Sequence, residues 1–138
     1  MLYLEPEKTI TICGKEVKMR YCAAAETGYE KLSGKSALIF IPKIEKDDDG
    51  NVTHYEQQAT TDDFIMLGMG AIIAAYAKED QESPITASDI IYDAPPQEVM
   101  NLITTVVALR AKWYEVPEAA KEKETDAHSE EKEEKEKN

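Results

Sequence analysis

Residues 9–21, TITICGKEVKMRY, alternate apolar and polar positions in two runs that meet at Gly14-Lys15. A period of two marks half-buried strands, and glycine at the first central position suits a type II′ hairpin turn. That turn sets Ile12 opposite Val17 and Ile10 opposite Met19, with Tyr21 extending the same face. Thr9, Thr11, Cys13, Glu16, Lys18 and Arg20 take the other face. Ala23 to Leu32 then predicts a short helix, stopped at Ser33-Gly34 where glycine can turn left-handed. Residues 37–44, ALIFIPKI, read as a strand, and Pro42 assigns it to a sheet edge or bulge. Residues 52–58 return beside it around Asp49-Gly50, which brings Ile44 opposite Tyr55.

The period changes to 3.6 in the second half. Thr60-Thr61 caps a helix whose first turn carries Asp62 and Asp63 near its positive end. Its body, FIMLGMGAIIAAYAK, is apolar around most of its circumference and predicts the central buried helix. Gly68 and Gly70 within it predict close helix packing. TASDIIYD adds one or two helical turns. A last helix starts near Pro95-Pro96, carries Val99, Leu102, Ile103, Val106, Leu109 and Trp113 on one side, and ends at Pro117.

These elements predict one α+β domain over residues 1–116. The N-terminal hairpin shares a sheet with the 37–58 hairpin and packs on three to four helices. Residues 117–138 hold nine acidic and five basic residues and no aromatic or branched aliphatic one. Such a segment has nothing with which to build a core and reads as a solvated, disordered tail.

Charge narrows the function. The net charge is −12 over 138 residues, and removing the −4 of the tail leaves −8 on the domain. Such a surface cannot neutralise a phosphate backbone, so no nucleic-acid partner is expected. No secretory leader is expected in MLYLEPEKTI, and no segment reaches the ~20 apolar residues of a membrane helix. Cys13 and Cys22 have neither metal spacing nor a disulfide framework, which fits a reducing cytoplasm.

One stretch carries chemistry. Residues 45–56, EKDDDGNVTHYE, place Glu45, Asp47, Asp49 and Glu56 at positions one, three, five and twelve of an EF-hand loop, with Gly50 at six. An EF-hand loop lies between two helices, whereas here a β-type run broken by Pro42 precedes it and QQATT follows. Position one also carries Glu where a shorter Asp is expected. The hairpin is therefore the preferred reading, with the four acids an alternative calcium site in a small calcium-responsive protein. No cofactor and no catalytic residue is expected. His54 sits by the acidic strand, His128 lies in the tail, and nothing brings a base and a nucleophile together. Arg110, Trp113 and Tyr114 close the last helix, and their types are enriched at binding hot spots, so they are the candidate partner contacts. Because Trp113 continues the apolar stripe, the preferred structural reading has it closing the core while Arg110 pairs with a surface acid.

The hairpin ITICGKEVKMRY, the short helix ending YEKLSGKS, the acidic helical body and the charged extension after KWYEVP resemble tail assembly chaperones of long-tailed bacteriophages. The resemblance spans residues 9–116. It departs from the family at 37–58, which is longer than expected between the first and central helices. It implies a non-enzymatic protein of the bacterial host cytoplasm that coats the tape measure protein and recruits tail tube subunits. A homo-oligomer is compatible with that role. A structural phage subunit of the neck or connector is the alternative.

Overall fold

The computed structural model describes residues 7–115 and has the expected α+β architecture, with two antiparallel hairpins and four helices. The tail, with His128 and with Pro117 as the stop of the last helix, lies outside the described residues.

The first hairpin pairs β1 (Glu7–Ile12) with β2 (Lys15–Arg20). It turns one residue earlier than the spacing predicts. Cys13 and Gly14 both have positive φ, 53° and 75°, so the turn is of the type I′ kind whose twist matches the flanking strands. Ile10 consequently faces Val17, and Ile12 faces Lys15. The expected pairs, Ile12 with Val17 and Ile10 with Met19, are displaced by two positions. A two-residue shift preserves the inward face, so Ile10, Ile12, Val17, Met19 and Tyr21 are all buried as predicted. The cause lies far along the chain. Glu98 Oε1 accepts the Cys13 N–H at 2.7 Å and holds that residue in the left-handed region.

Helix α1 (Ala23–Ser33) ends on Gly34 at φ 73°, the expected left-handed cap. The predicted strand over 37–44 is not formed as such. Residues Ala37–Phe40 make a 3₁₀ turn, and only Lys43–Lys46 extends as β3. Ser36 Oγ accepts the Leu38 N–H, and Glu30 Oε2 accepts that of Ala37, so the backbone is captured by a cap before it can pair. Three residues per turn then send Phe40 inward, where its ring meets Tyr29 at 4.8 Å and Phe64 at 5.2 Å between centroids.

Strand β4 (Val52–Glu56) pairs with β3, including the expected Ile44 and Tyr55. The two hairpins do not share a sheet, contrary to expectation; each is a separate two-stranded unit. The 3₁₀ turn uses the residues that would have carried β3 alongside β1 or β2. Every residue of β3 and β4 is exposed.

Helix α2 (Thr61–Ala77) is the central element, packed against α1, β2 and the last helix. Its glycines serve close approach, as predicted. A Cβ on Gly70 would lie 2.4 Å from the Ala25 carbonyl oxygen, and one on Gly28 would lie 3.2 Å from Gly70 Cα. Helix α3 (Ala87–Asp93) is short, and α4 (Pro96–Trp113) runs back across β1 and α2. On α4 the core takes Leu102, Val106 and Leu109. One turn beyond Leu109 the helix has outrun the core: Trp113 is 41% exposed and does not close it, which corrects the preferred reading.

Candidate functional site

The acidic stretch folds as a hairpin loop. Gly50, at φ 87°, follows a turn in which its N–H bonds the Asp47 carbonyl, and Asp47 N–H bonds that of Asn51. Asp47 Oδ1 accepts the N–H groups of Asp49 and Asn51, both at 2.9 Å, so that carboxylate is occupied in shaping the loop. Glu45 stands opposite His54, and Glu56 opposite Lys43, with His54 Nε2 3.2 Å from Glu56 Oε1. Among the described residues no group of three or more His, Cys, Asp or Glu is placed to hold a metal ion. The four EF-hand positions are thus not brought together as a cage.

What the hairpin does gather is apolar. Glu45 pairs with His54 but Lys46 pairs with Val52, so Thr53 is an extra residue, a bulge, and its hydroxyl donates to the Glu45 carbonyl. Without it Val52 would share a face with His54 and Glu56. With it Val52 joins Ile44 and Tyr55, and these three are 57%, 49% and 60% exposed. The sequence shows the three residues, but strict alternation hides that they share a face.

The three predicted contact residues divide. Arg110 and Tyr114 belong to a polar cluster between the start of α1 and the end of α4, whereas Trp113 stands apart from it. Glu26 Oε2 accepts the hydroxyls of Tyr21 at 2.6 Å and Tyr114 at 2.7 Å. Arg110 Nε is 3.9 Å from the same oxygen, and its guanidinium lies over the Tyr114 ring at 4.8 Å. That nitrogen is shielded from solvent and has no hydrogen-bond acceptor, so the ion pair acts through charge alone. Each charge suits its helix end, Glu26 in a first turn and Arg110 in a last one. Glu26 and Tyr21 are not visible as site residues in the sequence, because Tyr114 lies 88 positions from Glu26.

The cluster pushes phenols upward. Burial and then the Glu26 hydrogen bond raise Tyr21; for Tyr114 the Glu26 bond leads and burial follows. Burial leads for Tyr29 as well. The folded state therefore favours the neutral phenols. Their stabilising contribution is complete below about pH 10, the ordinary phenol value, and is lost as pH rises through the raised ones. In an ultraviolet titration at least three of the seven tyrosines should ionise late, and unfolding in urea should release them. Replacing Glu26 with Gln should bring Tyr114 back down. A single step near pH 10 in the folded chain would contradict the cluster.

The remaining features are modest. Burial, reinforced by Asp89, Glu98 and Asp93, raises the Cys13 thiol and keeps it protonated. A groove of about 430 Å³ runs between the start of β1 and the outer side of α4, lined by Lys8, Thr104, Ala108, Ala111 and Lys112. Both cysteines are free thiols. Among the described residues no helix is long and apolar enough to cross a membrane. The chain matches no protein-family model, no curated protein and no solved structure.

Proposed function

We propose that this chain is a non-enzymatic tail assembly chaperone of the long-tailed phage kind, which binds the tape measure protein in the host cytoplasm and recruits tail tube subunits. The observation that carries the binding part of the reading is the hairpin β3–β4, which stands clear of the core and presents Ile44, Val52 and Tyr55 to solvent, while the tail-assembly part rests on the resemblance outside this segment. A two-stranded hairpin is marginal alone, and an exposed apolar face on it is a surface suited to a partner. A client built of long apolar helix needs cover along its length. An acidic partner supplies cover while mutual repulsion keeps the assembly dispersed. The arrangement of hairpin and acidic body fits that division of labour, as do the sequence features that resemble the family.

Co-expression tests it. The tape measure protein of the phage that encodes the chain should be soluble with the intact chain and insoluble without it. A chain carrying Val52→Asp and Tyr55→Asp should fold, by circular dichroism, yet fail to keep the client soluble. A client equally soluble with and without the intact chain would overturn the proposal.

A further inference from the structure

The hairpin β3–β4 is apolar on one side only. Pairing sets Ile44 against Tyr55 and Lys46 against Val52, so these four residues share a side. Lys43, Glu45, His54 and Glu56 take the other, which is polar throughout. The two strands contact chiefly each other, and every residue in them is exposed. The body therefore offers no cover to Ile44, Val52 and Tyr55.

The shape of this side suits a helix. Two strands ~4.8 Å apart, with their side chains, make a face about as wide as the ~10 Å diameter of an α-helix. The four residues of β3 span ~13 Å, roughly nine residues of helix, so apolar side chains at i, i+4 and i+7 would fill it. An added strand would instead pair at an edge and leave the three apolar residues uncovered.

Charge distinguishes the two ends. Val52 is the apolar residue next to the tip, which is formed by Asp47, Asp48 and Asp49. Asp47 Oδ1 is engaged in the loop, whereas Asp48 and Asp49 are exposed. Lys46 offsets only one of the three charges, and its methylene stem adds to the apolar side. At the base the pair Lys43 and Glu56 carries one charge of each sign and so expresses no preference. A cation one turn beyond an apolar stripe would meet the tip, and an anion there would be repelled. We infer that the hairpin takes an amphipathic helix whose apolar stripe is followed, over the tip, by basic residues. The inference rests on the reading of the hairpin as a client-binding surface and adds the chemistry of the segment that docks there.

The probes are two peptides of about 18 residues, long enough to hold a helix. Both carry the same leucine stripe, and one turn beyond it bears lysines in one peptide and glutamates in the other. Titrated into the full chain at low salt and followed by NMR, the lysine peptide should shift the amides of Ile44, Val52 and Tyr55. It should also bind at least about fivefold more tightly than the glutamate peptide, and added salt should shrink that preference. With Asp48→Asn and Asp49→Asn together the preference should fall below about twofold. Glu82→Gln with Glu115→Gln removes the same charge from exposed positions off the hairpin and should leave the preference in place. Equal binding of the two peptides to the unaltered chain would overturn the inference while leaving the hairpin as a docking surface. A preference lost as fully with the distant pair would overturn it too, since net charge would then be the cause. No shift at the hairpin with either peptide would overturn both the inference and the hairpin's part in the proposed function.

Discussion

Replacing Gly70 with alanine should cost this protein more stability than the loss of any exposed residue. The added Cβ would lie 2.4 Å from the Ala25 carbonyl oxygen and 3.0 Å from the Tyr29 nitrogen. Both are backbone atoms of α1, so no side chain can swing aside, and the two helices must move apart. Separating them loosens Tyr29 and Ala25, which are fully buried. Overpacking of this kind costs about 1–3 kcal/mol and sometimes more, and the rigid neighbours put Gly70 at the upper end. The better helix propensity of alanine returns only about 1 kcal/mol. A net loss of ~2 kcal/mol should lower Tm by about 10 °C in a body of this size. Gly68→Ala meets Leu102 side-chain carbons at 2.8 Å and should be milder, because a side chain can adjust. Gly34→Ala is the control for backbone strain alone. It has open space and a φ of 73°, and should cost only ~1 kcal/mol. Thermal melts of the three variants that ranked Gly34→Ala as the worst would contradict this account of the α1–α2 contact.

Asp63→Ala should be the second large loss. The carboxylate is 2% exposed and gathers four donors. Its Oδ2 accepts the Thr60 N–H at 2.8 Å and the Thr60 hydroxyl at 3.0 Å, and its Oδ1 accepts the Tyr29 hydroxyl at 3.0 Å and the Lys35 ammonium at 3.1 Å. One side chain thus completes the capping box of α2, satisfies a buried phenol of α1 and ties down the segment after it. Alanine removes the Asp63 half of the box, worth about 1 kcal/mol, and takes from the Tyr29 hydroxyl its anionic acceptor, leaving it only Ser33, at a further ~1–3 kcal/mol. The expected total is ~3 kcal/mol by urea denaturation. The same site sets a pH dependence. Burial pushes the carboxyl upward, but the Thr60 N–H, Lys35, Tyr29 and the Thr60 hydroxyl outweigh it, so Asp63 is held below the ordinary aspartate value. A depressed carboxyl lends stability that is present above its unfolded value, about pH 4, and is lost as pH falls through the folded one. The gap between wild type and Asp63→Ala should therefore narrow on acidification below about pH 4. A gap that widened there would contradict the assigned sign.

The fold was legible wherever periodicity was long. The central helix, its cap at Thr60, the α1 stop at Gly34 and the last helix follow from 3.6-residue spacing and cap chemistry, and the structure has each of them. Short or distant causes were not legible. A cysteine at positive φ is not an expected turn residue, and what holds Cys13 there is Glu98, 85 positions away. The run ALIF has the same composition as a strand or a 3₁₀ turn, and Ser36 with Glu30 decides between them. Trp113 continues a stripe in sequence, but the stripe outlasts the core in space. Of the polar cluster, Arg110 and Tyr114 are singled out in the sequence by residue type alone, as candidate contacts, and the structure joins both to Glu26. Their partner Glu26, the second role of Asp63 and the bulge at Thr53 needed the chain to be folded before they could be seen.

Whether the chain covers a helical client is decided by a tagged pull-down. The bait would be recovered from the cells that produce the chain, in which the proposal expects an active phage or prophage, and its partners identified by mass spectrometry. The expected partners are a very long, helix-rich protein and a tail tube subunit, with no trace of the chain in purified particles. Recovery of the bait alone or with itself, with the chain present in purified particles, would contradict it and point to a structural subunit.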